Sequence, residues 1–257
     1  MRLTEPRTGR WAQYGVKPRT SLYAELETLA RQALADGTAS DFFFMHKAPG
    51  LRIRFQGSIE PGAVLSGWQE ANLIERWRPG VYEPESYLFG GDASMRRVHR
   101  VFTADSLAWL GYHRLPAPGP AWAMSLLLIQ SLLATLRVVG WEDLDVWDRV
   151  RRHGRALPGA AADPRIDALA AALRAAWPSR DRLAAKLSPE AVELAEEFHA
   201  RVTAEGPPWF EEYFESGRAV IGPREVAAFL IIFHWNRARL PAARQALITE
   251  ALLVRGT

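Results

Sequence analysis

The sequence contains no cysteine, and this absence excludes several kinds of chemistry. Without thiols there can be no disulfide, no thiolate zinc site and no cysteine nucleophile, and the composition fits a reducing cytoplasm, where we expect the protein to reside. The six histidines show neither the HxH nor the HxxxH spacing that is typical of a metal site. We therefore expect no metal and no other cofactor.

Lysine is also scarce, because the 32 basic residues include only Lys17, Lys47 and Lys186 and the others are Arg. A planar guanidinium pairs with a carboxylate through two hydrogen bonds, so an acidic peptide is as natural a partner as nucleic acid. No basic run and no base-stacking motif favours nucleic acid. We expect an anionic polypeptide partner and no nucleic acid, and the sequence leaves open whether the chain forms a homodimer.

No hydrophobic run is suited to a membrane. The longest apolar stretch, Ala121 to Val139, carries two Ser, one Gln and Arg137, which indicates a buried helix, and the N-terminal residues lack the apolar segment of a signal peptide. We therefore expect no membrane partner. The chain has 257 residues, 48% of them hydrophobic and 24% charged, so it can bury the core of a single domain spanning residues 1–257.

Local patterns divide this domain into a strand-rich part, about residues 1–91, and a helical part, about residues 92–257. Strands are predicted at Trp11–Lys17, Phe42–Lys47, Leu51–Gln56 and Leu73–Glu83, the middle two forming a hairpin across Pro49-Gly50. The helical part is predicted to break at Gly206-Pro207-Pro208 and Gly222-Pro223, with a linker at Leu157–Asp163. The predicted fold class is α+β, dominated by helices, with a small mixed or antiparallel sheet.

The second hairpin strand alternates apolar residues with two arginines. Leu51, Ile53 and Phe55 should face the core, while Arg52 and Arg54 share the opposite face. Side chains two positions apart on a strand lie about 6 to 7 Å from each other. Such a pair can grip two carboxylates or carbonyls of an extended ligand, and the alternative is a solvated face with surface salt bridges.

Four ordered segments carry a resemblance to a known family. They are FFFMHKAPGLRIRF (Phe42–Phe55), YEPESYLFGG (Tyr82–Gly91), FTADS (Phe102–Ser106) and HWNR (His234–Arg237). Together they resemble the C-terminal domain of lantibiotic dehydratases, which also occurs as stand-alone proteins in thiopeptide biosynthesis. The resemblance spans Trp11 to about Leu253, and it implies an α+β fold that acts on a ribosomally made precursor peptide.

The resemblance implies one of two chemistries. Eliminating members remove glutamate from glutamylated Ser or Thr, whereas cyclising members, the pyridine synthases, join two dehydroalanines by a formal aza-(4+2) cycloaddition with loss of water and of the leader peptide. Eliminases typically carry His where this chain has Gly50 and Arg where it has Leu88. These departures favour pyridine synthesis, with glutamate elimination and a non-catalytic peptide-binding module as the alternatives.

Cycloaddition requires an amide to become an iminol and two alkenes to meet, so it needs a proton donor, a base and a folded peptide but no redox cofactor. His234, near the end of an apolar helix, is the first candidate acid or base; the alternative is a hydrogen-bonded core histidine. Tyr82 and Glu85 are expected to line the site together if Pro84 bends the chain between them. Otherwise Glu85 would pair with a strand arginine.

The expected substrate-binding residues are Arg52, Arg54, Lys47, Phe89, Trp235, Asn236 and Arg237. Trp235 is expected to form part of a pocket for azole or aromatic rings, and a surface position is the alternative for Lys47. We expect His99 to be a half-exposed helix residue and Asp105 with Ser106 to cap the following helix.

Overall fold

The computed structural model describes residues 10–155 and 164–253, which form a small sheet and a larger helical body. Four strands make up the sheet: β1 (Trp11–Pro18), β2 (Ala39–Lys47), β3 (Gly50–Gly57) and β4 (Ile74–Gly80). The α-helices of the described residues are α1 (Tyr23–Ala35), α2 (Gly62–Glu70), α3 (Asp92–Arg114), α4 (Ala121–Thr135), α5 (Glu142–Val150), α6 (Pro164–Ala176), α7 (Arg180–Ala184), α8 (Pro189–Trp209), α9 (Pro223–Arg237) and α10 (Ala242–Leu253). The predicted helix-dominated α+β class is confirmed.

The sheet is antiparallel, with strand order β2-β3-β1-β4. The predicted hairpin is confirmed, because β2 pairs with β3 in a register that sets Phe42 opposite Phe55. One face of the sheet packs against α1 and α2. The strand predicted at Leu73–Glu83 is shorter than expected: β4 ends at Gly80, because Pro79 lacks an N–H donor and the chain leaves the sheet after it.

Helices α3, α4, α8 and α9 form the centre of the helical body. The prediction that Asp105 and Ser106 cap a helix is wrong, because both lie buried inside α3, which runs unbroken for 23 residues. There the Oγ of Ser106 accepts a hydrogen bond from the N–H of Phe44 on β2 at 3.3 Å. One turn earlier, the Oγ1 of Thr103 accepts from the N–H of Phe42 at 3.0 Å. Side chains of α3 therefore close the outer edge of β2.

The break predicted at Gly206-Pro207-Pro208 is also wrong, since all three residues lie inside α8. Gly206 is buried against α4, and a Cβ at this position would lie 3.0 Å from the carbonyl oxygen of Thr135. Because Gly has no Cβ, Gly206 escapes much of the clash that a residue before proline suffers in a helix. The break predicted at Gly222-Pro223 is confirmed, because α9 begins at Pro223; the linker predicted at Leu157–Asp163 lies outside the described residues.

Candidate functional site

The guanidinium of Arg54 lies buried beneath the segment that follows β4. Only 4% of Arg54 is exposed, and its guanidinium carbon sits 4.8 Å from the ring centroids of both Phe43 and Tyr82. Its Nε donates to Gln13 at 2.7 Å, whereas its buried Nη1 has no hydrogen-bond partner. Arg54 is therefore held by the Phe43 and Tyr82 rings and by Gln13, and the two N–H groups of its Nη1 are left unpaired.

A second buried guanidinium, from Arg237 at the end of α9, points toward the same region. Its Nη1 donates to Asp105 at 2.9 Å and its Nε to the carbonyl oxygen of Phe44 at 3.1 Å, while its guanidinium carbon lies 4.3 Å from the ring centroid of Phe102. Its Nη2 is buried and has no partner. Nitrogens left unpaired in this way are costly unless a ligand uses them.

Tyr82 and Glu85 complete an electrostatically coupled group with these two arginines. Burial lowers the pKa of Arg54 to about 10, while Tyr82 and Glu85 act to raise it. Burial also raises the pKa of Tyr82, and the Glu85 carboxylate adds to this rise, so the hydroxyl stays protonated near neutral pH. Glu85 also interacts electrostatically with Arg237, and a short 3-10 helix begins directly after it at Ser86–Leu88.

His99 of α3 lies behind the Tyr82 hydroxyl, with the two atoms, Oη and Nε2, 2.9 Å apart. The expectation that His99 is half exposed is wrong: it is 6% exposed, because Trp11 and Phe43 cover its ring. Burial, assisted by the Arg54 charge, lowers the pKa of His99 to about 3. A neutral imidazole that carries its hydrogen on Nε2 can donate it to the Tyr82 oxygen, which holds the ring in place and leaves the hydroxyl hydrogen free.

Sequence reasoning missed this histidine although a signal was present. His99 follows Met95 by four positions and precedes Phe102 by three, so the three residues share one face of α3. Met95 and Phe102 are both buried. That spacing predicts that the His99 side chain faces the core.

His234 lies in the core instead of beside a cleft, with 1% of its surface exposed. Its Nδ1 donates to the Asp105 carboxylate at 2.7 Å, and the hydroxyl of Ser125 lies 2.9 Å from its Nε2. Ser125 accepts a further hydrogen bond from the indole of Trp235 at 3.0 Å. The order of groups resembles a serine nucleophile with its base and acid, but Ser125 is fully buried, so the network holds the core together.

Asp105 joins this network to the arginine of the site. Burial disfavours its charge, but the His234 and Arg237 side chains bonded to it outweigh that effect and lower the pKa of the carboxyl. The ionised Asp105 thereby fixes the orientation of the Arg237 guanidinium. The local pattern around Asp105 predicts a helix cap, because a contact between residues 129 positions apart leaves no trace in local patterns.

The remaining candidates separate into core and surface residues. Trp235 and Phe89 are each 0% exposed, so the structure does not bring them to a ligand pocket as expected; their rings pack into the core. Asn236 is partly buried and bonds the backbone N–H and carbonyl of His46, each at 2.9 Å. Lys47, at the hairpin tip, is exposed.

Arg52, two positions before Arg54 on β3, is half-buried on the face expected from the alternation. Within the described part of the chain neither arginine has a carboxylate at ion-pair distance, so the alternative of surface salt bridges for this pair does not hold. Arg52 therefore remains available to a ligand. The Nη1 of Arg54 also lacks a partner, but protein atoms cover it.

Across residues 10–155 and 164–253, no three His, Asp or Glu side chains come together as a metal-binding group. No helix in that part of the chain is both long and apolar enough to cross a membrane.

The sequence matches the family of lantibiotic biosynthesis dehydratase C-terminal domains over residues 13–255, and the chain belongs to this family. A search of curated protein sequences finds no significant match.

Two solved structures share the fold. The tRNA-dependent lantibiotic dehydratase MibB from Microbispora sp. 107891 superposes with a TM-score of 0.66 at 19% identity, covering 98% of this chain and 28% of MibB. TsrL superposes with a TM-score of 0.51 at 12% identity, covering 95% of this chain and 94% of TsrL. The chain thus spans little more than a quarter of MibB and nearly all of TsrL.

Proposed function

We propose that the protein is a cofactor-independent pyridine synthase, which joins two dehydroalanines of a precursor peptide into a six-membered ring and closes a macrocycle. One observation carries this proposal: Arg54, Arg237, Tyr82 and Glu85 converge, and two of their guanidinium nitrogens lack partners.

The groups present match the proton transfers that cyclisation needs. The peptide amide must lose its N–H proton and gain a proton on oxygen, which gives the iminol of a 2-azadiene. Glu85 can accept the first proton and the Tyr82 hydroxyl can supply the second, after which the proton returns to Tyr82 through Glu85 or water. The free nitrogens of Arg54 and Arg237 can hold the amide oxygen by hydrogen bonds.

The bond-forming step mainly requires that the two alkenes be held in contact. Correct positioning can lower such a barrier by roughly 7 to 11 kcal/mol. Loss of water, and loss of the leader peptide as a carboxamide, then make the ring aromatic. No electron acceptor is needed, because both eliminations leave the oxidation level of the peptide unchanged overall.

His234 takes part through other residues in this scheme. Because its imidazole is sealed in the core, we assign it a positioning role, in which it supports Asp105 and thereby the guanidinium of Arg237. The acid-base role predicted from the sequence would need a ring that reaches the substrate.

Glutamate elimination is the second candidate, and the same two guanidiniums favour it because paired N–H donors bind carboxylates well. Against it, Leu88 occupies the position where eliminases carry Arg, and its side chain packs on the hydrophobic core. Leu88 cannot hold a departing carboxylate. We therefore rank cyclisation above elimination.

The test offers the purified protein two peptides without metal or nucleotide. The first carries a leader, azoles and two dehydroalanines; the second carries a glutamylated Ser. Mass spectrometry should find a pyridine macrocycle and a free leader carboxamide from the first and no change in the second. Loss of glutamate from the second alone would establish elimination, and binding of both without reaction would leave a peptide-binding module.

Two variants test the assigned groups. Glu85→Gln and Tyr82→Phe should each reduce kcat by roughly 10² to 10⁴ while peptide affinity changes little. Glu83→Gln is the matched control, because Glu83 is exposed and lies between the two tested residues. Equal activity of Glu85→Gln and Glu83→Gln would remove Glu85 from the mechanism.

A further inference from the structure

A cavity crosses the face of the sheet that carries the strand arginines. The strand register places Arg52 of β3, Gly15 of β1 and Arg78 of β4 in one row. Gly15 has no side chain, so the centre of this row is not filled. The backbone of Gly15 forms the floor of a cavity of ≈ 250 Å³ there. Its basic lining residues are Lys17, Lys47, Arg52, Arg76 and Arg78, and the cavity with these five side chains is the basic trough.

The charges of the basic trough are incompletely balanced. Glu75 pairs with Lys17 at 2.5 Å and with Arg76 at 3.2 Å. In the part of the chain that the structure describes, the other three cations of the trough have no ion pair. A hydrogen bond from Lys17, reinforced by the nearby charges, lowers the pKa of the partly exposed Glu75, so this surface already stabilises one carboxylate.

The spacing of the cations suits an extended peptide. Arg76 and Arg78 lie on one face of β4 about 6 to 7 Å apart, which is also the repeat between alternate side chains of an extended chain. Arg52 stands on the opposite wall, two strand spacings or about 10 Å from Arg78. None of the described lining residues is aromatic, so the trough offers no surface on which nucleic-acid bases can stack.

We propose that the basic trough binds an acidic, extended stretch of the substrate peptide, with carboxylates at alternate positions against Arg76 and Arg78. Among the described strands β4 forms one of the two edges of the sheet, and no described strand borders the trough beyond it. Arg52 connects it to Arg54, two residues farther along β3. A bound acidic stretch therefore presents the neighbouring part of the peptide to the site. The inference rests on the proposed function only in taking this peptide to be the substrate.

Fluorescence anisotropy with two synthetic probes tests the trough directly. One fluorescein-labelled peptide carries Glu at alternate positions and its partner carries Gln instead. The Glu peptide should bind at least roughly tenfold more tightly, and high salt should weaken its binding because exposed charges are screened. Equal affinity for both peptides, or tighter binding of a single-stranded oligonucleotide of the same charge, would overturn the proposal.

Variants locate the binding. Arg78→Glu and Gly15→Val should each weaken binding of the Glu peptide roughly tenfold or more. A Cβ at Gly15 meets only the carbonyl oxygen of Arg78, at 3.9 Å, so Gly15→Val should fold while it fills the floor of the trough. Arg218→Glu, at an exposed position in the helical body, is the matched control and should bind normally. Binding that survives both trough variants would refute the assignment.

Turnover separates this inference from the proposed function. With an acidic substrate peptide, Arg78→Glu should raise KM and leave kcat nearly unchanged, because the trough lies outside the reacting centre. A protein that cyclises no peptide but still selects the Glu peptide through Arg78 would refute the proposed function and support the trough. If the protein cyclises the peptide and Arg78→Glu changes neither peptide affinity nor KM, the proposed function is supported and the trough is refuted.

Discussion

Replacing Asp105 by Ala should destabilise the fold far more than the loss of a surface carboxylate. Asp105 is 2% exposed and binds His234 at 2.7 Å and Arg237 at 2.9 Å. The substitution leaves a fully buried guanidinium without its counter-charge. Removing one partner of a buried ion pair costs about 3 to 5 kcal/mol, which is a large part of a typical free energy of unfolding of about 5 to 15 kcal/mol.

Urea denaturation followed by tryptophan fluorescence measures this loss. The control is Asp148→Ala, because Asp148 pairs near the surface with Arg151 at 2.5 Å and with Arg152 at 3.0 Å, and each such pair should contribute no more than about 1 kcal/mol. The double variant Asp105→Ala/Arg237→Met should lose less stability than the sum of the two single variants, since it removes the stranded charge. A loss for Asp105→Ala no greater than that of Asp148→Ala, or strict additivity, would refute the reasoning.

Three further predictions follow from contacts of the site. The pKa of His99 falls from 6.5 to about 3 on folding, so the unfolded chain binds a proton that the folded chain rejects. The contribution of His99 to the free energy of unfolding should be complete above about pH 6.5 and decline toward pH 3 by up to about 1.4 kcal/mol per pH unit. In urea titrations at several pH values, His99→Gln should lose this part of the pH dependence. Parallel pH dependences of the variant and the unchanged protein would contradict the prediction. Gly90→Ala should lower the melting temperature more than Gly91→Ala. Both residues have positive φ, but only a Cβ at Gly90 would meet the Tyr213 hydroxyl, at 1.8 Å. Equal shifts in melting temperature would argue against the clash. Asn236→Ala removes two hydrogen bonds to the backbone of β2 and should cost about 1 to 3 kcal/mol in the same urea assay, whereas Asn236→Asp should restore only the accepting bond.

Local periodicity was sufficient to predict the sheet but not the environment of its arginines. Alternation along β3 predicted that Arg52 and Arg54 share a face, and the register confirms it. It could not predict that Arg54 is buried, because the covering rings come from other segments: Phe43 from the neighbouring strand and Tyr82 from the segment after β4. A solvated face and a covered one have the same two-residue pattern.

The surroundings of His234 and Trp235 were not predicted, for a related reason. His234 and Trp235 occur in a recognisable motif, but their surroundings are set by Asp105 and Ser125, which lie more than a hundred positions earlier. Such contacts depend on how the helices pack, which local patterns along the sequence do not reveal. The assignment of residues 1–257 to a single domain and the location in the cytoplasm stay predictions.

The two hydrogen bonds between Asn236 and the backbone of His46 also have a consequence for the order in which the protein forms. The two residues are 190 positions apart, so at about 5 to 20 residues per second a ribosome needs roughly 10 to 40 s to progress from one to the other. During that interval the end of β2 near His46 lacks its partner on α9, and an unpaired strand edge invites association with other chains. Nascent chains stalled before Asn236 should therefore aggregate more readily than those released after it.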